Sequence, residues 1–331
     1  MQPREWNPGQ LIEISGYFWK TGTLHAAVKL DVFTLIGDHR LEATDIAQKL
    51  GASPDGVERL LNALTAMELL EKTDDGFANQ PSVRDLLSKD SKKYIGHIIM
   101  HHHHLVPSWA QLDQAVRSGD PVRTRASSSD EQRRESFLMG MFNMAMSLAP
   151  QIIPVVDLSN CRHLLDLGGG PGTYAIHFCR HNPGLKATVF DLPTTRPFAE
   201  KTISAFNLEE RIRFMEGDFL KDPIDGQYDA VWLSHILHAE GPRQCRILMQ
   251  KAVNVLKPGG MVIVHDFFLN DRQDGPLFPA LFSLNMLLGT DSGQSYSEGQ
   301  VVEMLTDTGV RNVRRIPVTL PNDSGILTGV V

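Results

Sequence analysis

The sequence predicts an α/β chain, a doubly wound parallel sheet organised around a glycine turn and preceded by a mainly helical N-terminal part. Three observations carry this. A short apolar run (Leu164, Leu165, Leu167) is ended abruptly by Gly168-Gly169-Gly170-Pro171-Gly172, and Tyr174 to Arg180 then reads as a helix. A second short strand, Lys186 to Asp191, ends in a carboxylate 21 residues beyond Gly170. Before Pro154, in contrast, apolar residues recur mostly at helical spacing. Strand, glycine turn and helix together bring a nucleotide-like ligand against bare backbone amides, and an acid at that distance suits the two hydroxyls of a ribose.

Taken in order, residues 11–36 are mostly helical in pattern, with Leu24, Val28, Val32, Leu35 and Ile36 as an apolar stripe. Leu41 to Leu50 reads as a short helix stopped by Gly51, and Ser53-Pro54 restarts the chain with a cap residue and a first-turn proline. The helix that follows carries Val57, Leu60, Leu61, Leu64 and Met67 on one face, and Leu69 to Asn79 reads as a small hairpin around Thr73-Asp74-Asp75-Gly76. Helix, turn, helix and hairpin make a winged-helix pattern. Its would-be recognition helix carries Asp55, Glu58 and Glu68 against Arg59, where a groove-reading helix is basic or rich in amides.

Tyr94 to Gly119 contains His101-His102-His103-His104, then Trp109, Leu112 and Val116. His97 and His101 stand one helical turn apart, a spacing that can place two imidazoles on one ion. Four consecutive helical positions point in four directions, however, so the run does not converge, and no metal is expected. The expectation is one or two of these histidines at a substrate pocket and the rest at the surface. Asp120 to Arg134, with Ser127-Ser128-Ser129, reads as a loop, and Ser136 to Pro150 as a helix rich in Phe and Met.

In the α/β part, the strand Ile212 to Met215 leads into Glu216-Gly217-Asp218-Phe219, an acid and an aromatic suited to the amine and the face of an adenine. The strand Ala230 to Leu233 ends in Ser234-His235-Ile236-Leu237-His238, at the carboxyl end where open α/β sheets place their sites. A turn, Leu256 to Gly260, leads into Met261 to Val264 and then His265-Asp266. Ile316 to Thr319 and Gly325 to Val331 suit the last two strands, the final one antiparallel.

Asp166-Leu167-Gly168-Gly169-Gly170-Pro171-Gly172, Asp191, Gly217-Asp218-Phe219 and Leu256-Lys257-Pro258-Gly259-Gly260 resemble, in order and spacing, the successive motifs of class I S-adenosylmethionine-dependent methyltransferases. A dinucleotide dehydrogenase more often has its glycine turn near its own N-terminus and lacks the Lys-Pro-Gly-Gly turn. With the N-terminal pattern, the chain resembles the small-molecule O-methyltransferases related to plant caffeate and acetylserotonin methyltransferases. The resemblance implies a Rossmann-like domain at 154–331, a winged-helix dimerisation domain at 1–105, and a helical linker at 106–153 lining the substrate pocket.

It also implies S-adenosylmethionine held by Asp166, Gly168, Gly170, Asp191, Asp218, Phe219 and Ser234. His238 matches the family's catalytic base and Asp266 the acid that orients it, while His235 either reaches the cofactor or packs. A phenol with a pKa of about 10 gains from a general base, and a histidine of pKa about 6.5 is largely neutral at pH 7. Phe142, Met144, Phe282 and Met286 fall where the family faces its acceptor. Two departures stand out: His238 is followed by Ala239-Glu240-Gly241-Pro242 in place of His-Asp-Trp and acidic residues, and Ser295 stands where a second glutamate flanks the base.

Composition sets the remaining expectations. With 331 residues and a formal charge of −7, the chain has length for two domains but no basic excess to neutralise phosphate, so no nucleic-acid partner is expected. No continuous apolar run approaches the roughly 20 residues that span a bilayer, so no membrane is expected. Met1 to Lys20 lacks the features of a secretory signal, and Cys161, Cys179 and Cys245 read as isolated thiols of a reducing cytoplasm. The sequence thus predicts a cytoplasmic homodimer acting on an aromatic or polyketide-like acceptor. The alternative is a small-molecule-sensing regulator with a disused methyltransferase domain.

Overall fold

The computed structural model describes residues 5–125 and 130–331. The chain forms two compact units, one ending at Leu105 and the other beginning at Val106.

In the first unit, α1 (Pro8–Lys29) starts with a capping box: Asn7 Oδ1 accepts from Gln10 N, and the Gln10 side chain accepts from Asn7 N. The helical stretch expected across 11–36 is broken. Asp31, at φ 60°, separates α1 from α2 (Val32–Ile36), and its carboxylate takes hydrogen bonds from Thr34 Oγ1 and Lys89 Nζ. Aspartate tolerates this left-handed conformation when its side chain is held locally. Next come α3 (Ala43–Leu50) and α4 (Pro54–Ala66), the latter capped by Ser53. Leu41, expected to be helical, instead bridges to Phe77 beside the hairpin β1 (Leu70–Thr73) and β2 (Gly76–Asn79). Phe33, Ile36, Ile46, Leu61, Leu64, Leu70 and Phe77 fill the core; α5 (Pro81–Leu87) follows, and α6 (Gly96–Trp109) continues past the unit boundary at Leu105.

The second unit opens with α7 (Leu112–Ser118) and α8 (Glu131–Ile152). Residues 131–134, expected in a loop, are helical because Asp130 caps α8 by accepting from Arg133 N; the serine run 127–129 lies outside the described residues. The stretch 131–155 is the one helix among the described residues with the length and apolar content of a bilayer span. Leu138, Leu148, Ala149 and Ile152 on it are buried, however, and it packs on α9 (Thr173–His181).

The sheet strands are β3 (His163–Leu167), β4 (Lys186–Asp191), β5 (Ile212–Glu216), β6 (Tyr228–Ser234), β7 (Leu256–Phe267), β8 (Arg311–Ile316) and β9 (Ser324–Val330), in the order β5-β4-β3-β6-β7-β9-β8. Strands β3 to β7 pair with one another in parallel, whereas β9 runs antiparallel to both β7 and β8. The remaining helices are α10 (Arg196–Ala205), α11 (Pro242–Asn254), α12 (Leu277–Gly289) and α13 (Glu298–Asp307).

Period-two alternation sends Leu164, Val189, Trp232, Ile263 and Ile326 into one core, and Leu165, Leu167, Val231, Leu233 and Val264 into the other. Two strand assignments shift. The Leu256–Gly260 turn is the irregular start of β7, with the register broken between Tyr228 and Ala230 of β6 and Gly259 at φ 79°. The penultimate strand lies at Arg311–Ile316, upstream of the expected Ile316 to Thr319; its pairing with β9 fixes it there.

Candidate active site

Strand order reverses at β3, which has β4 on one side and β6 on the other, so a crevice opens at their carboxyl ends. Each expected site segment from β3 to β7 leaves the sheet at that end. Gly168 follows β3 at φ 70°, and a Cβ there would lie 2.7 Å from Ile236 Cγ2. Gly172 caps α9 at φ 78° without a side chain over the first turn, which leaves backbone amides open.

Asp166 is almost fully buried; its Oδ2 accepts from Ala175 N at 3.2 Å, while Oδ1 has no partner. Burial pushes its carboxyl up to about 7, with the Ala175 amide opposing and Asp191 adding to the shift. Asp191 Oδ2 accepts from Gly170 N at 2.8 Å, and Oδ1 accepts from Leu192 N at 2.7 Å and Thr195 Oγ1 at 3.0 Å. Burial raises its pKa too, against those three donors. Asp218 lies at the end of the next strand; its Oδ2 meets Lys221 Nζ at 2.8 Å and its Oδ1 accepts from Leu220 N at 2.9 Å. Partial burial would raise its pKa, but Lys221 and the neighbouring amides outweigh this and hold it low. Phe219 is half-buried against the β-sheet core beside it.

These residues fit an S-adenosylmethionine-like group. Nothing lies within 4 Å of where a Cβ on Gly170 would stand, so a ligand can approach the backbone there, and the partnerless Asp166 oxygen is an acceptor awaiting a donor. Asp191 and Asp218 supply acceptors further along the same edge.

Ser234 ends β6, and its hydroxyl sits 2.9 Å from His265 Nδ1; His265 Nε2 in turn lies 3.2 Å from Ser324 Oγ. Burial, reinforced by His235, keeps His265 well below the ordinary histidine pKa, so it is neutral. Ser234 is thus tied inward as well as placed at the crevice.

His238 lies on a single helical turn after β6, buried, with Nδ1 2.7 Å from Asp266 Oδ1. Asp266 is the penultimate residue of β7, and its Oδ1 also accepts from Phe267 N at 2.8 Å. Burial alone would raise the Asp266 pKa; His238 and His235 more than offset it and hold the carboxyl well below its usual range. An anionic carboxylate accepting at Nδ1 fixes the proton there and leaves Nε2 as the free lone pair.

The surrounding wall is aromatic: Phe282 meets the His238 ring edge-on at 4.7 Å, Phe267 lies 4.7 Å from Phe282, and Phe278 4.9 Å from Phe267. Met286 is buried one turn beyond Phe282 on α12. Phe142 and Met144 are half-buried on α8, which packs on α9 and the turn Ile153–Val155, so the aromatic contacts around His238 come from other elements.

Ser295, which stands where the family has a second glutamate, is buried, and its hydroxyl donates to Pro279 O at 2.8 Å. Residues that sequence reasoning passed over complete the site. Glu240 is buried and paired with Arg125 at 2.6 Å, and Arg125 also donates to Ala239 O at 2.8 Å, next to the base. The departure from the family pattern after His238 was the available signal, since an acid followed the base without an apparent partner. Phe267, at the end of β7, was passed over as well, whereas Phe278 lies in the segment Pro276 to Leu288 that matches the family's acceptor-covering helix.

His235, His238 and Asp266 are the one group of three potential metal-binding side chains among the described residues, their ligand atoms within 4.8 Å of one another. Asp266 Oδ1 already accepts two N–H groups, which favours a hydrogen-bonded dyad over an ion site. In the first unit, His103 faces the His25 ring at 5.5 Å and Lys29 Nζ at 3.4 Å, and His97 packs on Tyr94 at 5.2 Å.

Comparison with known proteins agrees with this geometry. Residues 109–311 match the O-methyltransferase domain family and residues 12–89 the O-methyltransferase dimerisation domain. The chain is 33% identical to a 3-hydroxy-5-methyl-1-naphthoate 3-O-methyltransferase of Streptomyces sahachiroi, over 99% of this chain and 96% of that one. It is 31% identical to the tetracenomycin polyketide synthesis 8-O-methyltransferase of Streptomyces glaucescens, covering 96% of each. Among solved structures, human N-acetylserotonin methyltransferase in complex with S-adenosylmethionine superposes with a TM-score of 0.86 at 27% identity, covering 100% of this chain and 99% of that one. An O-methyltransferase family protein from Burkholderia thailandensis gives 0.88 at 28% identity, over 99% and 98%. The full-length relatives are enzymes by name, so the regulator alternative is set aside, and the chain belongs to the S-adenosylmethionine-dependent O-methyltransferase family.

Proposed function

We propose that this enzyme methylates a hydroxyl of an aromatic or polyketide-like small molecule, with His238 as general base and Asp266 as its positioning residue. One observation carries the reading: a buried His–Asp pair at 2.7 Å whose imidazole faces an aromatic wall at the carboxyl end of the sheet. S-adenosylmethionine, when bound, supplies the electrophilic methyl group. Asp166, Gly168, Gly170 and Ser234 line the end of the crevice nearest β3 and β6, and Asp191, Asp218 and Phe219 the end beyond β4 and β5.

Phe282, with Phe267, holds a flat acceptor against His238, with Met286 beneath; Phe142 and Met144 on 106–153 are further candidates to line the pocket. His238 Nε2 takes the hydroxyl proton as the oxygen becomes nucleophilic, and Asp266 stabilises the imidazolium. The nearly dry surroundings of both groups strengthen that pairing. The naphthoate and tetracenomycin relatives support a polycyclic phenol as acceptor.

The enzyme is proposed to be a homodimer through its N-terminal winged-helix domain, a role supported by the match at 12–89. The free thiols Cys161, Cys179 and Cys245 support a cytoplasmic setting. Salt bridges of α4 (Arg59–Asp55 and Lys72–Glu58) occupy the basic residues a nucleic acid would need, and we assign neither a nucleic-acid nor a membrane partner.

The test is calorimetric titration with S-adenosylhomocysteine, followed by methyl transfer to a panel of hydroxynaphthoates and hydroxylated polycyclic aromatics. Micromolar binding lost in Asp191→Ala, without a response to NAD, is expected. His238→Ala should bind S-adenosylhomocysteine normally yet lose about 10²–10⁴ in kcat. An unchanged kcat in His238→Ala would remove the base assignment.

A further inference from the structure

His235 is a conspicuous residue in the site that the dyad does not use. Its backbone sits at φ 55°, a left-handed conformation that costs a non-glycine residue of order 1–3 kcal/mol and persists where surrounding structure imposes it. The ring is wedged between His265 and Phe267, each at 4.3 Å. Both of its nitrogens are buried without a hydrogen-bond partner, and so is Asp266 Oδ2. The nearest acceptor is Asp266: His235 Nδ1 lies 3.6 Å from Oδ1, within ion-pair distance and just beyond hydrogen-bond reach. The strained backbone, the partnerless Nδ1 and a carboxylate within reach converge on one contact.

We propose that His235 is a second positioning residue for methyl transfer: its Nδ1–H, directed at Asp266, holds the carboxylate in register with His238 and closes to a full hydrogen bond in the substrate complex. This rests on the reading of His238 as the base. Catalytic hydrogen bonds are often long before substrate binds, and a 3.6 Å separation needs less than 1 Å of motion to become one.

The charge-bearing groups that face His235 are Asp266 and His265 on β7 and His238 on the turn after β6. Burial lowers the His235 pKa, Asp266 opposes this, and His238 adds to it. His235 therefore stays a neutral donor while His238 takes the acceptor's proton, so Asp266 faces a single positive charge. Asparagine tolerates the left-handed backbone and carries an N–H donor of similar reach, whereas phenylalanine keeps the ring packing without one.

The decisive experiment is ¹⁵N-histidine NMR of the full-length protein, free and with S-adenosylhomocysteine, across pH 5 to 8, for wild type, His235→Asn and His235→Phe. In the wild type, His235 should appear as the neutral Nδ1–H tautomer, with a shift that steps as His238 protonates. Removing the donor leaves Asp266 a stronger acceptor for His238, so His235→Phe should move the His238 transition, and the acid limb of kcat/KM, to higher pH. We expect its kcat to fall about tenfold or more, with His235→Asn recovering most of the loss.

An Nε2–H tautomer of His235 in the wild type would overturn the proposal, as would a His238 transition identical in wild type and His235→Phe. The wild-type tautomer gives this answer even if the phenylalanine variant does not fold. Failure of the methyltransferase reading is separate: it would appear as no turnover and no S-adenosylhomocysteine binding by the wild type.

Discussion

At the scale of single residues, Asp166 makes the sharpest prediction. Its Oδ1 is buried without a partner and its pKa stands at about 7, so near neutrality the free protein carries a mixture of acid and carboxylate. If, as proposed, Asp166 accepts from a cationic group of the cofactor, it does so in its ionised form. Binding must therefore displace a proton wherever Asp166 is still protonated. As pH falls below about 7, affinity for S-adenosylhomocysteine should drop by up to about tenfold per unit; above it, affinity should level off. Asp166→Asn should bind more weakly at pH 8 and show a flat profile. Calorimetry from pH 5.5 to 8 in two buffers checks both the affinity and the released proton, and a flat wild-type profile would remove Asp166 from the cofactor site.

Stability has its own sign. A carboxyl raised in the folded state opposes folding at pH above its folded value, and that penalty fades as pH falls toward the unfolded value. Acidification to pH 5 should thus weaken ligand binding while relieving this one folding cost.

Legibility divides along the same physical line. The positions of Asp166, Gly168 and Asp191 at strand ends and in the turn were readable because those residues are set by local chain geometry. His238, Asp266 and Phe282 were singled out through the family pattern, and the structure brings the three side chains together. The tie between Asp218 and Lys221, and that of Ser234 to His265, depend on rotamers, on which the sequence is silent. The role of His235 was left open for the same reason: spacing shows a histidine, not a left-handed backbone.

Among the elements, the strand–turn–helix units of the sheet were legible because each is closed by contacts within a few residues. The break at Asp31 and the bulged start of β7 were not. The first depends on a side chain held by Lys89, 58 residues away, and the second on β7 pairing with β6. The same holds for the segment before α8. Val122 and Arg123 donate backbone N–H groups to Leu288 O at 3.0 and 3.1 Å, and Arg125 reaches Glu240, 115 residues on.

Arg125 and Glu240 fasten the turn that carries His238. Tyr296 adds to this by donating its hydroxyl to Glu240 O at 2.6 Å, and Cys245 Sγ donates to Leu237 O at 3.2 Å. The Glu240 side chain is 5% exposed and that of Arg125 39%, so removing the guanidinium strands a buried carboxylate while solvent softens the loss. Arg125→Met should cost about 2 kcal/mol, less than the 3–5 kcal/mol typical of a fully buried pair. Adding Glu240→Gln should return most of it. Denaturant unfolding of the two single variants and the double variant gives the coupling, and additive losses would show that the pair does not act as a clasp.

For the whole molecule, the outstanding feature is the outer surface of α1. Leu11, Ile12, Tyr17, Phe18 and Trp19 are 52–72% exposed on one helix, whose buried contacts within its unit begin only at His25. Roughly three turns of aromatic and aliphatic side chains facing water are costly unless something covers them. A bilayer surface is a poor candidate, because membrane-lying helices need a basic polar face and α1 offers Lys20 and Lys29 against Glu13. A second copy of the chain is the better one, since residues 12–89 match a dimerisation domain and the uncovered stretch begins at its first residues. Light scattering behind size exclusion should report a dimer for the full chain. Phe18→Glu with Trp19→Glu places two charges where the aromatic contacts would form, and burying them unpaired is prohibitive. That variant should elute as a monomer while still binding S-adenosylhomocysteine, because the residues proposed to hold the cofactor all lie in the second unit. A dimer that survives both substitutions would place the interface elsewhere and leave the exposed face of α1 to another partner.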